Sequence, residues 1–158
     1  THHIVILGQG PLEGQLRRRA ATALAASRIH LAGWKPDVTK WLAACEAFVL
    51  PTHYEGMPNA LLEAMAAGRP VVVNDVEGIR EVLGDGETAE PQIAQQLSRD
   101  GGKNFAALTK QMIASGPLRR ECGQANLSRI KQHFCAETQF QKYLDLYQAT
   151  LGDPDAQK

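Results

Sequence analysis

Cysteine is scarce in this chain: Cys45, Cys122 and Cys135 are the three found in 158 residues. An odd number excludes a fully paired disulfide framework, and the spacing is not that of zinc ligands. Reduced, mostly buried thiols in a cytoplasmic protein are therefore expected, with no metal site. Net charge is missing as well, because 17 basic residues offset 17 acidic ones. Without a bulk field to draw a polyanion, neither nucleic acid nor an anionic membrane is an expected partner. No apolar run nears the roughly 18 residues of a membrane-spanning helix, and the opening "THHIVILGQG" lacks the basic flank and long apolar core of a signal peptide. Internal repeats and low-complexity tracts are absent too. What is present, 44% apolar and 22% charged residues, suffices for one compact core burying roughly two thirds of the unfolded surface.

Short apolar runs alternate with helical patterns. "HIVIL" (His3 to Leu7), "IHLA" (Ile29 to Ala32), "AFVLP" (Ala47 to Pro51) and "PVVVN" (Pro70 to Asn74) are continuous rather than alternating, as in strands buried on both faces. "PLEGQLRRRAATALAAS", "DVTKWLAAC" and "NALLEAMAAG" between them carry helix formers and caps. That order predicts an α/β fold, a doubly wound, Rossmann-like parallel sheet with right-handed crossovers. Past Asn74, "GIREVL" predicts a short helix and "SRDGG" a loop. "KNFAALTKQMIAS", "PLRRECGQANLSRIKQHF" and "AETQFQKYLDLYQATL" predict a helical C-terminal segment, with residues 151–158 a frayed tail.

Ligands of doubly wound sheets bind beyond the carboxyl ends of the strands, so the turns there hold the candidate site. In "GQGPLEG", Gly8 and Gly10 permit a tight turn, with Pro11 opening the next helix; the glycines serve either a ligand or the turn itself. In "GWKPD", Trp34 offers a face for a flat base and Lys35 a cation, or else the indole seals a core edge. In "NDVEGIREV", Gly78 allows close backbone approach, while Arg80 or Glu81 either faces the ligand or, the favoured reading, is solvated on a short helix. His53 reads as a surface imidazole.

The third turn, "THYEGMPN", is the most informative. Gly56 lets the backbone turn, Met57-Pro58 gives an extended approach, and Asn59 is the expected N-cap of a helix that starts Ala60, Leu61, Leu62, Glu63. Such a helix start is an anion site for phosphate or pyrophosphate. Glu55 precedes it and Glu63 lies within it, too differently based for the matched carboxyls of a glycosidase. As hydroxyl acceptors flanking a pyrophosphate they fit a sugar on one side and a ribose on the other. The bland alternatives are that Glu63 complements the helix dipole and Glu55 is a solvated loop residue.

"EGMPNALLEAMAAGRPVV" closely resembles the E-x7-E signature of GT4-type retaining glycosyltransferases of the GT-B fold. The likeness runs on through "IVILGQGPLEGQL", "IHLAGWKPDVTKWLAACEAFVLPTHYEGMPNALLEAMAAGRPVVVNDVEGIREVLGDGET" and "LRRECGQANLSRIKQHF" to "YLDLY". It implies the donor-binding half of such an enzyme, in polysaccharide or glycolipid biosynthesis, with residues 1–150 forming the nucleotide-sugar-binding domain. By this resemblance Glu55 is catalytic and meets the donor sugar. Amides of Gly56, Met57 and nearby residues approach the sugar and pyrophosphate, Pro58 and Asn59 line the same site, the Leu62 amide meets the phosphates, and Glu63 holds the ribose. Trp34 and Lys35 stand at the base-contacting segment, with Gly8 and Gly10 on the donor side. The implied partners are a UDP- or GDP-sugar and a sugar, lipid or glycan acceptor, with no cofactor. The family's upstream Arg and Lys, its first strand-helix unit and its N-terminal acceptor domain have no counterpart in this sequence, and the unpaired sheet edge this leaves implies self-association. Glu77 replaces a small residue of the family's "VGG", and "GETAEPQIAQQLSRDGG" departs from its glycine-and-proline loop. The alternatives are a non-catalytic nucleotide-sugar-binding module or a subunit completed by another chain and, less fitting, a GT-B-like enzyme such as a nucleotide-sugar epimerase.

Overall fold

The computed structural model describes residues 2–84 and 96–152. The chain divides into two compact units, Thr1–Lys40 and Trp41–Lys158. The part of the expected tail beyond Gly152 and all of "GETAEPQIAQ" lie outside the described residues.

In the first unit β1 (Ile4–Leu7) leads through α1 (Glu13–Thr22) and a single 3-10 turn (Ala26–Arg28) to β2 (Ile29–Gly33). The strands are parallel, pairing Ile4 with Ile29 and Ile6 with Leu31, before a slip sets Leu7 opposite Gly33. Two expectations are corrected here. The run "HIVIL" is not buried on both faces, since Ile4 and Val5 stay about half exposed; a two-stranded ladder gives each residue only one strand neighbour. Pro11 does not open α1, because Leu12 occupies the N-cap position. At the other end the Thr22 hydroxyl donates to the carbonyls of Arg18 and Arg19 at 3.3 and 3.2 Å, and Ala23 turns extended.

Helix α2 (Thr39–Ala44) spans the division. The second unit continues with β3 (Phe48–Leu50), α3 (Asn59–Ala66), β4 (Val71–Asn74), α4 (Glu77–Leu83) and β5 (Leu97–Ser98). Three helices follow: α5 (Phe105–Ala114), α6 (Gly116–His133) and α7 (Ala136–Gly152). The described strands form two ladders, β1-β2 and β3-β4-β5, each parallel throughout. Central β4 is buried along its whole length, with Val71, Val72 and Val73 at 0% exposure. A β-branched run suits that place, where both faces are covered and both edges paired. Val72 packs with Met112 of α5 and Cys122 of α6, flanked by Ala47, Phe105, Leu108 and Leu118. Burial among these groups pushes the Cys122 thiol up to about 11. α3 contributes Leu61, Ala64 and Met65 to the core, and α4 contributes Ile79, Val82 and Leu83.

Glycine and amide chemistry fix how these layers meet. α3 ends in a Schellman motif: Gly68, at φ 66°, donates to the Met65 carbonyl at 2.9 Å and Arg69 donates to the Ala64 carbonyl at 3.0 Å. Gly123 of α6 presses on that cap, and a Cβ there would stand 2.3 Å from the Gly68 oxygen. Beside it the fully buried Gln96 and Asn126 close a network. Val71 N–H donates to Gln96 Oε1 (2.7 Å), Gln96 Nε2 to Asn126 Oδ1 (2.9 Å) and Asn126 Nδ2 to the Arg69 carbonyl (2.8 Å). β5, which lies inside the segment where no strand was expected, is thus held by side-chain amides as well as by its short ladder.

Gly123→Ala should destabilise the protein by about 1–3 kcal/mol or more, because the obstacle is main chain and cannot rotate away. A urea titration should show a lower midpoint with an unchanged slope; a wild-type midpoint would contradict this close packing.

Candidate functional site

The carboxyl edge of the β3-β4-β5 ladder gathers the turn that the sequence singled out. After β3 the chain turns at Thr52, whose carbonyl accepts a hydrogen bond from Asn74 Nδ2 at 2.9 Å. Thr52 Oγ1 donates to the Tyr54 carbonyl at 2.9 Å, closing a small turn just before Glu55. The next two carbonyls lie against α4, where a Cβ on Gly78 would stand 2.1 Å from the Gly56 oxygen and 2.4 Å from the Glu55 oxygen. The close approach expected at Gly78 is therefore present, and its partner is the loop bearing Glu55.

At the start of α3 the geometry corrects the sequence reading. Pro58, not Asn59, occupies the N-cap position, and no side chain caps the helix. The Pro58 carbonyl accepts from Leu61 at 2.9 Å and Leu62 at 3.2 Å, while Asn59 N–H donates to the Met57 carbonyl at 3.0 Å. The Leu62 amide, expected at the phosphates, is thus committed inside the helix. Those of Gly56, Met57 and Ala60 have no hydrogen-bond partner among the described residues. Glu55 is half-buried and Glu63 exposed, and neither carboxylate has a partner among the described residues.

Around this turn the other charges are engaged or solvated. Arg80 Nε pairs with Asp75 Oδ1 at 2.7 Å, while Glu77, Glu81 and His53 are exposed. On the β5 side Asp100 Oδ1 accepts from the Asn104 amide at 3.0 Å, and that bond is the main reason its carboxyl lies below the usual range. Asn74 itself is a residue that the sequence reading passed over. The available signal was a polar side chain ending the apolar run "PVVVN" at the ligand edge.

The remaining candidates belong to the first unit. Gly8 adopts φ 123° and donates to the Gly33 carbonyl at 2.9 Å, so its glycine is required by the backbone. Gly10 has no such φ; its carbonyl accepts from Glu13 at 3.1 Å. Both line a hollow of about 320 Å³ floored by Ile6, Leu7 and Leu31. Trp34 is 62% exposed, which rules out the core-sealing alternative within this unit, and Lys35 is half-buried. A larger cavity of about 570 Å³ lies at the other end of the second ladder, lined by Cys45, Arg69, Pro70 and Arg119. Its arginines hold protein atoms: Arg69 Nη1 donates to the Cys45 carbonyl at 3.1 Å, and Arg119 Nη2 pairs with Glu46 at 3.2 Å.

These features define a Rossmann-like α/β domain whose distinctive turn sits at the ligand edge of a parallel ladder. The family described as glycosyl transferases group 1 matches residues 1–114, and the chain belongs to that family. It is 28% identical over 144 residues to the lipopolysaccharide core biosynthesis glycosyltransferase LpsE of Rhizobium meliloti (strain 1021), covering 91% of this chain and 41% of that protein. Over 75 residues it is 40% identical to the Escherichia coli UDP-Gal:alpha-D-GlcNAc-diphosphoundecaprenol alpha-1,3-galactosyltransferase, covering 47% of this chain and 19% of that one. The chain thus spans less than half the length of these relatives. Among solved structures, S. aureus TarM in complex with UDP superposes with a TM-score of 0.77 at 21% identity, over 92% of this chain and 29% of that one. Anabaena HepE in complex with UDP gives 0.75 at 17% identity, over 94% and 41%. These likenesses establish the fold, a Rossmann-like half of the GT-B kind.

Gly78→Ala should push the Glu55–Gly56 carbonyls off α4, since a methyl at 2.1 Å from an oxygen cannot be accommodated without moving the main chain. Faster amide exchange in the first turn of α4, where the Ile79 and Arg80 amides donate to the Val76 carbonyl, is the expected signature; unchanged exchange there would show that the contact is not tight.

Proposed function

We propose that this chain is the donor-binding domain of a GT4-type retaining glycosyltransferase, transferring a sugar from a UDP- or GDP-sugar to a hydroxyl of a sugar, lipid or glycan acceptor held by a further domain. One observation carries the reading. Two carboxylates without partners among the described residues, Glu55 and Glu63, flank a helix start whose nearest amides, at Gly56, Met57 and Ala60, are likewise unengaged. Acceptors for hydroxyls on either side of donors for an anion are what a nucleoside diphosphate sugar requires. Family membership supports the reading, as does the similarity to a galactosyltransferase that uses UDP-Gal and a diphosphoundecaprenol-linked acceptor.

In this reading Glu55 meets the donor sugar and Glu63 the ribose hydroxyls. The amides of Gly56, Met57 and Ala60, rather than that of Leu62, face the pyrophosphate. The bond from the anomeric carbon to the leaving phosphate breaks, and the acceptor hydroxyl attacks on the same face of the ring. This domain's part is to orient the sugar and to present fixed dipoles to the charge that grows on the departing pyrophosphate.

Glu63→Gln keeps shape but loses an ionised acceptor, and should weaken nucleoside diphosphate binding by about 1–3 kcal/mol. Calorimetry with UDP, GDP and ADP tests this: undiminished binding of whichever ligand the wild type takes removes Glu63 from the ribose. Glu55→Ala should instead weaken a nucleotide-sugar more than its bare diphosphate, and equal losses would remove Glu55 from the sugar.

The isolated chain should bind donor weakly, at ~0.1 mM or above, without turning over, because transfer needs an acceptor hydroxyl held against the anomeric carbon. Released UDP or GDP is the readout. Sustained release lost in Glu55→Ala would make the chain a self-sufficient enzyme.

A further inference from the structure

We propose that Asn74 is the positioning residue for Glu55: its side-chain amide, at the carboxyl end of the central strand, pins the loop that presents Glu55 to the donor sugar. The inference rests on the reading of Glu55 given above and adds a residue that no sequence motif marks. Asn74 is 5% exposed and ends β4, the strand flanked by both β3 and β5. Its Nδ2 donates to the Thr52 carbonyl at 2.9 Å. From there the tether runs through the Thr52 hydroxyl to the Tyr54 carbonyl at 2.9 Å, one residue short of Glu55. Past Glu55, the carbonyls of residues 55 and 56 rest on Gly78. The loop is therefore held on both sides of Glu55, by a hydrogen bond before it and a backbone contact after it.

The other half of the same amide argues against a purely stabilising role. Asn74 Oδ1 is the buried side-chain polar atom that has no hydrogen-bond partner among the described residues. It faces Gly102, where a Cβ would come within 3.1 Å of it. A buried acceptor left without a donor costs stability, whereas an apolar side chain of the same shape carries no such cost. An asparagine here gives up stability at its oxygen and gains, through its nitrogen, a fixed loop. That trade makes sense where the loop's position matters to a ligand. Gly102, at φ 87°, keeps the space beside the oxygen clear of a side chain.

The two roles separate experimentally. Asn74→Leu removes donor and orphan acceptor together, and Asn74→Asp keeps the shape while exchanging the donor for a carboxylate facing the Thr52 carbonyl. For wild type, Glu55→Ala and both variants, calorimetry would compare UDP with UDP-galactose and UDP-N-acetylgalactosamine, and GDP with GDP-mannose, giving the gain in affinity that each sugar adds to its diphosphate. Thermal melting and amide exchange at Tyr54, whose N–H donates to Thr52 Oγ1 at 3.4 Å, would accompany it. The expected result for Asn74→Leu is a melting temperature at or above wild type, unchanged diphosphate affinity, a sugar-dependent gain reduced about tenfold, and faster exchange confined to the loop. Asn74→Asp should lose the same gain, and if it fails to fold the leucine variant decides alone. A wild-type gain that Glu55→Ala abolishes but Asn74→Leu retains overturns the role of Asn74 and leaves Glu55 in place. A wild type that binds diphosphate and nucleotide-sugar alike overturns both, as does a gain indifferent to Glu55→Ala. A lower melting temperature with an intact gain would make Asn74 a structural residue only.

Discussion

The site hangs on a contact that contains no side chain. Gly78 lies so close to the Glu55 and Gly56 carbonyls that any Cβ would fall inside their van der Waals radii. Loop and helix start are therefore joined main chain to main chain, where no rotamer can relax, and fixing the carbonyl of Glu55 fixes the direction in which its side chain leaves the backbone. The same contact explains why the neighbouring Glu77 is tolerated where the family carries a small residue. Glu77 is exposed as the first residue of α4, and an acidic side chain suits the positive end of that helix. Only the second residue of the "VEG" triplet's helix has to be bare.

That contact is only as firm as the strand beneath it. β4 meets β3 on one edge and β5 on the other, and its three valines are inaccessible. β5 has just two residues in the ladder, too few to hold register by backbone bonds alone. The Gln96 and Asn126 amides supply the missing specification: each bond runs to a backbone or amide group at one fixed position, so a slipped register would bury unpaired donors and acceptors. Gly123 against the Gly68 cap sets α6 at the opposite end of the same strand. Both ends of β4 are thus located by close backbone approach, and its polar terminus, Asn74, becomes a fixed point from which a loop can be hung.

Much of this was legible because it rests on local chemistry. Continuous β-branched runs announced the parallel strands, and glycine, proline and asparagine marked the turns that follow them. The Glu55 and Glu63 spacing marked a loop and a helix that lie at the carboxyl edge of the β3-β4-β5 ladder. Three things were not legible, each for a physical reason. Whether a run is buried on both faces depends on what packs over it, and Ile4 and Val5, which read like the β4 valines, remain half exposed. β5 has too short an apolar run to register as a strand and is held by amides 30 residues away in sequence. The cap of α3 moved by one residue, because a proline carbonyl competes for the amides that an asparagine side chain would have taken.

That one-residue shift changes where an anion would sit. Had Asn59 capped the helix, the first-turn amides up to Leu62 would have marked the axis of α3 as the binding point. With Pro58 at the cap, its carbonyl takes both Leu61 and Leu62, and proline itself offers no N–H. The amides left without partners among the described residues, at Gly56, Met57 and Ala60, straddle the junction of loop and helix instead. In the proposed reading an anion would therefore meet the loop that carries Glu55 rather than the rigid helix, so the groups that would meet the pyrophosphate and the sugar share one short segment of backbone. The geometry of that segment is fixed from outside, by Asn74 before Glu55 and Gly78 after it. A displacement at the Asn74 anchor, which precedes Glu55, would therefore act on the sugar, while the amides that follow Glu55 keep the Gly78 contact and the ribose end keeps Glu63.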